Sequence, residues 1–240
     1  MRDTRWKARL RASAVASALA ALVAGAVGAV GTGGFGAPAA AQDGTHTAAV
    51  EPLRGERAGA ARRVHRALTA ETLTARRSVS AAEPVFAREI LKTGADGRAV
   101  IELDDGAVLT LGEDAVVAID RMVWDPSARD GLAALTVLHG AFRMVSGELG
   151  AKGRVRVETP IATIGVRGTD FWGYQEGGSL SVVLLDDGRV EIETAGGRIV
   201  LDEPRDGVTI TDPAAPLPAT PQRWGERRIA AAVETIAFPQ

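Results

Sequence analysis

The chain has 240 residues, of which 46% are apolar and only 4% aromatic, so any core must be built from Val, Leu, Ile and Ala. The formal net charge is −2, which argues against a nucleic-acid binder, whose signature is a basic face or stripe. There is no cysteine, which removes disulfides, thiolate metal sites, cysteine nucleophiles and a lipobox.

In chain order, Arg2, Arg5, Lys7, Arg9 and Arg11 form a basic leader to the apolar run Ala12–Val30. The small residues of Ala37-Pro38-Ala39-Ala40-Ala41-Gln42 follow. This order predicts a secretory signal peptide over 1–41, cleaved after Ala41. The alternative is an uncleaved signal that anchors the chain, because the run is just long enough to span a bilayer. With cleavage, no membrane span is expected in the mature chain, and its destination is the periplasm or the medium.

Residues 42–77 are polar and alanine-rich. They are expected to form a linker, partly disordered, or one short helix suggested by the spacing of Val64, Leu68 and Leu73. From 78 to 211, short runs of Val, Ile, Leu and Thr alternate with polar residues and are punctuated by Gly and Asp, an all-β pattern. Eleven strands are expected: 99–103, 108–111, 116–119, 134–138, 141–145, 155–159, 162–166, 170–175, 180–185, 190–194 and 198–201. The fold class is therefore all-β, as a solenoid-like or rolled antiparallel sheet, with a β-sandwich as the alternative. Residues 212–240 comprise a proline-rich linker and an amphipathic helix. Its apolar residues Ile229, Val233 and Ile236 suit either capping of the β domain or docking to a partner.

Two turns share a sequence, Asp104-Asp105-Gly106 and Asp186-Asp187-Gly188. Asp-Gly between apolar runs marks a turn, since Gly takes positive φ without strain. At the first, the parity of Ile101, Leu103, Leu109 and Leu111 favours a three-residue loop with a glycine bulge. At the second, Val182, Val183, Leu184 and Leu185 are all apolar, so that strand is expected to be buried on both faces. These carboxylates read as turn formers rather than as a general acid/base pair or a calcium loop.

The densest motif is Thr159-Pro160-Ile161-Ala162-Thr163-Ile164-Gly165-Val166-Arg167-Gly168-Thr169-Asp170-Phe171. Pro160 suits a strand start, and Gly165 and Gly168 mark a bend or a close approach. Arg167 is expected to tie down carbonyls or a carboxylate at a tight corner, with Asp170 as a candidate partner and an anion grip as the alternative. Trp124 and Trp172 are a candidate binding surface, with packing at sheet ends as the other reading. His46, His65 and His139 lack metal-ligand spacing, and no nucleophile elbow or phosphate loop is present. No catalytic, cofactor or metal set is expected.

The Thr159–Phe171 run resembles the hallmark of the FecR domain. Glu89–Ala99, Leu103–Gly112, Asp125-Pro126 and Leu138–Arg143 resemble further elements of that family. The resemblance implies a periplasmic, solenoid-like β fold, and in the best-known members the relay of a siderophore signal to a cytoplasmic sigma factor. Only 11 residues precede the apolar run here, so direct sigma-factor binding is not expected. The expectation is a non-enzymatic module that binds another envelope protein or relays a signal. The alternative is an envelope structural or carbohydrate-binding protein.

Overall fold

The computed structural model describes residues 55–239. The expected signal peptide and its cleavage site lie outside the described residues, as do residues 42–54 of the expected linker. The first strands are β1 (Arg57–His65), β2 (Leu68–Glu71), β3 (Arg76–Ser78), β4 (Pro84–Phe86), β5 (Ile90–Thr93), β6 (Arg98–Leu103), β7 (Val108–Leu111), β8 (Val116–Asp125) and β9 (Asp130–Val145). After the short helix α1 (Glu148–Ala151) come β10 (Val155–Glu158), β11 (Thr163–Arg167), β12 (Asp170–Glu176), β13 (Ser179–Leu184), β14 (Arg189–Thr194) and β15 (Gly197–Leu201). The chain closes with β16 (Asp206–Ile210), β17 (Gln222–Arg223) and α2 (Glu226–Glu234).

The strands pair into one mixed, unclosed sheet that folds into two layers at β9. The first layer runs β4-β1-β6-β7-β9-β12-β13-β16-β17. The second runs β3-β2-β5-β8-β9-β10-β11-β14-β15. Every pairing is antiparallel except β9 with β10. The chain winds between the layers, so the rolled sheet and the sandwich expected from the sequence meet in one architecture. β9 serves both layers because Gly140 bends it. Its φ is +95°, and a Cβ there would lie 2.6 Å from Ala115 Cα. Two separate strands were expected here, but His139-Gly140 redirects one strand rather than ending it.

Alternation along each strand sends one set of side chains inward. Ile101, Leu109, Phe142, Met144, Phe171 and Val182 from the first layer meet Leu91, Ile119, Leu135, Val157, Ile164 and Ile192 from the second in one continuous core. Burial of such aliphatics at ~25 cal/mol per Å² is the main stabilising term. Phe142 and Phe171 cross edge to face at 5.8 Å within it.

The described part of the 42–77 segment corrects the expected linker or helix. It forms β1, β2 and most of β3, and β1 pairs with β4 and β6. Ala58, Gly59 and Ala61 are small enough to let β1 lie close to β6; a Cβ on Gly59 would lie 2.2 Å from Glu102 O. The helical spacing misled because Val64 and Leu68 belong to different strands and Leu73 is fully exposed.

α2 covers the outer side of the first layer. Trp172, Val183, Ala141, Trp224, Ala232 and Ile236 are buried outside the main core. The Trp224 indole lies over Gly207, where a Cβ would be 2.4 Å from its Nε1. The Trp172 and Trp224 rings cross at 6.0 Å. The helix therefore caps the β body, and β13 is buried on both faces as expected. The proline-rich linker lies against the β14–β15 turn through Gly196 N–H donating to Pro213 O at 2.7 Å. No helix among the described residues is long and apolar enough to cross a membrane.

Candidate functional site

The Thr159–Phe171 motif builds one hairpin and one crossover. Thr159 Oγ1 accepts from Ala162 N–H at 3.0 Å and Ile161 N–H at 3.3 Å, which closes the β10–β11 turn around Pro160. β11 then runs in the second layer, and Val166 points into the core. At Gly168, φ +53°, the chain leaves that layer. Gly168 N–H donates to Gly150 O at 2.9 Å, and Thr169 N–H to Ser146 Oγ at 3.0 Å. Ser146 N–H donates in turn to Thr169 O at 2.8 Å. β12 then begins at Asp170 in the first layer, with Phe171 in the core. The motif thus passes the chain between layers against α1.

The expected Arg167–Asp170 tie is not formed. Asp170 is held by Arg143, whose Nε donates to Oδ1 at 2.8 Å and whose Nη2 donates to Oδ2. That fork raises the Arg143 pKa, chiefly through the hydrogen bond to Asp170. Alternation explains the miss: Arg167 ends β11 facing outward from the second layer, whereas Asp170 opens β12 on the outer side of the first. Arg167 is exposed and has no hydrogen-bond or ion-pair partner among the described residues. It stands directly opposite Arg189 on β14. Continuing the β10–β11 register by one residue brings Arg154 beside it on the other side.

A groove of about 340 Å³ lies next to this row, lined by Leu132, Ala134, Gly153, Arg154, Arg156 and Gly165. Arg154, Arg156 and Arg189 were not singled out in the sequence. Their signal was the outward half of the strand alternation, which becomes a row only once the registers are known.

A cleft of about 580 Å³ lies at the far end of the β8–β9 hairpin, lined by Glu56, Arg57, Asp104, Met122, Val123, Trp124 and Pro126. Trp124 is half-buried there, and Arg57 pairs with Asp104 at 2.9 Å. Trp172 corrects the expected pairing with Trp124 as a surface. It is fully buried under α2 because the helix supplies an apolar cover and a hydrogen-bond acceptor for the indole.

The two Asp-Gly turns differ. At the first, Leu103 N–H donates to Ala107 O and Gly106 N–H to Leu103 O, giving the expected three-residue loop with Gly106 at φ +83°. Asp105 is buried and accepts from Ala107 N–H at 3.2 Å and from Leu149 N–H at the start of α1 at 3.2 Å. At the second, Asp186-Asp187-Gly188 carries the chain from the first layer to the second, and Asp187 N–H donates to Asp186 Oδ1 at 2.9 Å. A Cβ on Gly188 would lie 2.1 Å from Gly168 O, so the two crossovers pack together. Among the described residues no cluster of three His, Asp or Glu is arranged to hold a metal.

The family comparison matches residues 89–191 to FecR protein. This stretch is a FecR domain. The match starts at Glu89, whose carboxylate is held by Arg77 Nε at 2.9 Å and Nη2 at 2.8 Å. It ends at Glu191 within β14, so β1–β4 and β15–β17 flank the FecR domain in the same sheet. No curated protein matches the chain. Two crystal structures of a proposed anti-sigma factor from Parabacteroides distasonis ATCC 8503 are similar in fold. One is 15% identical with a TM-score of 0.47, covering 60% of this chain and 64% of that one. The other is 16% identical with a TM-score of 0.46, covering 60% and 63%. The chain thus spans less than two thirds of the length of each of these relatives.

Proposed function

We propose that this chain is an exported, non-enzymatic FecR-domain protein that acts in the periplasm as a protein-binding or signal-relay module. The FecR match over residues 89–191 carries this reading and supports a regulatory role. The basic, apolar and A-x-A order of residues 1–41 supports export. The carboxylates of the Asp-Gly turns support a scaffold rather than a reaction centre, since Asp105 and Asp186 accept hydrogen bonds from the turn backbone.

Cell fractionation of a C-terminally tagged chain, followed by chemical cross-linking, tests the proposal. The expected result is a periplasmic protein whose mature N-terminus is Gln42 and which cross-links to another envelope protein. Retention in the cytoplasm, or recovery of the uncross-linked chain alone, would contradict it.

The Trp124 cleft favours a second reading, an envelope carbohydrate binder, because an aromatic ring there sits beside Arg57 and two carboxylates. Co-sedimentation with peptidoglycan that is lost in Trp124→Ala supports that reading; no co-sedimentation removes it.

A further inference from the structure

The two outer faces of the sheet are unlike. α2 covers that of the first layer, while no helix lies over that of the second among the described residues. Gly165 sits in the middle of β11 on this open face, between Arg156 and Glu191 in register. A glycine inside a strand normally marks a bulge or a close backbone approach. Gly165 does not adopt a positive φ. A Cβ there would meet nothing nearer than Glu191 O at 3.9 Å. Neither backbone strain nor internal packing requires a glycine. What it provides is a bare floor in the groove beside Arg154 and Arg156, with Ala134 on the far side of Arg156.

Arg167 adjoins that floor. It faces Arg189 across the β11–β14 pair, and like charges directly opposite on a sheet repel. The neighbouring arginines have carboxylates of their own: Arg189 pairs with Asp202 at 3.5 Å, Arg156 with Glu158 at 3.5 Å and Arg154 with Asp130 at 3.9 Å, whereas Arg167 pairs with none among the described residues. Arginine forks recognise carboxylates in a bidentate manner, so the Arg167 guanidinium is the one in this row open to a carboxylate supplied from outside. The same face also carries Glu158, Glu191 and Glu193, and the whole chain is net −2. A uniform polyanion is disfavoured there, whereas an extended polypeptide can place single acidic side chains on the arginines and its backbone on the glycine floor.

We infer that the outer face formed by β10, β11 and β14 docks an extended acidic segment of a partner protein, with Arg167 at its centre. This rests on the binding-module reading above and names the surface and the chemistry of the partner.

The test titrates the mature chain with a synthetic alternating Glu-Thr peptide and follows backbone amides by NMR. The expected result is salt-sensitive binding that shifts amides of β10, β11 and β14. Arg167→Glu should weaken it roughly 10- to 100-fold, the range for a lost charge-assisted hydrogen bond. Gly165→Leu should abolish binding in a chain that still melts cooperatively, while Arg227→Glu on α2 leaves it unchanged. Equal binding to the Arg167→Glu chain would overturn the inference, as would no binding. So would inorganic polyphosphate shifting the same amides more strongly. If the chain cross-links a partner in cells equally well with Arg167→Glu, this surface is wrong and the binding-module reading stands. If the peptide binds here but no envelope partner cross-links, the surface stands and the module reading falls.

Discussion

Trp172 donates its indole N–H to Thr235 Oγ1 at 3.0 Å, a bond across 63 residues that fastens the C-terminal helix to the middle of the first layer. The side chain is fully buried between that layer and α2. Trp172→Ala should destabilise the fold by roughly 3–5 kcal/mol, because it leaves a large apolar cavity. Thr235→Ala, which removes that acceptor and the hydroxyl's own hydrogen bond to Ala232 O, should cost about 1–3 kcal/mol. Urea unfolding of both variants checks this order; a Trp172→Ala chain as stable as the parent would mean that the helix does not pack there.

The Arg143–Asp170 fork and the free Arg167 make opposite predictions for two residues of one motif. Asp170→Asn should cost about 1–3 kcal/mol, since Arg143 is only partly exposed and loses its carboxylate. Arg167→Ala should change stability by less than about 0.5 kcal/mol. Thermal melts of the two variants measure this. Equal destabilisation would restore Arg167 as a structural tie.

Two exchanges of glycine for alanine separate packing from surface. Gly173 faces the core, and a Cβ there would lie 2.5 Å from the Phe142 ring. Gly173→Ala should therefore cost ~1–3 kcal/mol through overpacking. Gly165→Ala should be neutral or should stabilise by up to about 1 kcal/mol, because a strand glycine pays entropy without a packing return. Paired denaturation curves give the comparison.

Tyr174 is the only tyrosine of the chain, so its ionisation can be read directly by tyrosinate absorbance. Burial and then the negative charge of Glu176 push its pKa well above the usual value of about 10. A raised folded-state pKa means that the unfolded chain releases this proton first as pH rises. The stability it contributes is complete below the unfolded value and is lost as pH climbs towards the folded one. The titration midpoint of the folded chain should lie above that of the urea-unfolded chain, and Tyr174→Phe should flatten the alkaline loss of stability. Coincident midpoints would contradict the burial.

Much of this was legible in the residues. The strands from Ala99 to Leu201 follow from alternation, and the bulged loop at Gly106 follows from parity; β16 and β17 were not expected. β1–β5 were not expected either; β1 was hidden because Ala58, Gly59 and Ala61 have little strand propensity and gain their place only by packing against β6, a contact 40 residues away in the pair Arg62–Glu102. The partner of Asp170 was hidden for a related reason. Arg143 lies on a strand that changes layers at Gly140, and local spacing does not show which strands become neighbours after such a bend. Trp172 looked available because its cover, α2, begins only at Glu226.

Placing a photo-activated cross-linking residue at position 165 in cells, with a second chain carrying it at Arg227, tests the central claim most directly. The account predicts a cross-link to another envelope protein from position 165, lost when Arg167→Glu is added, and none from position 227. No cross-link from position 165, or equal cross-links from both positions, would contradict it.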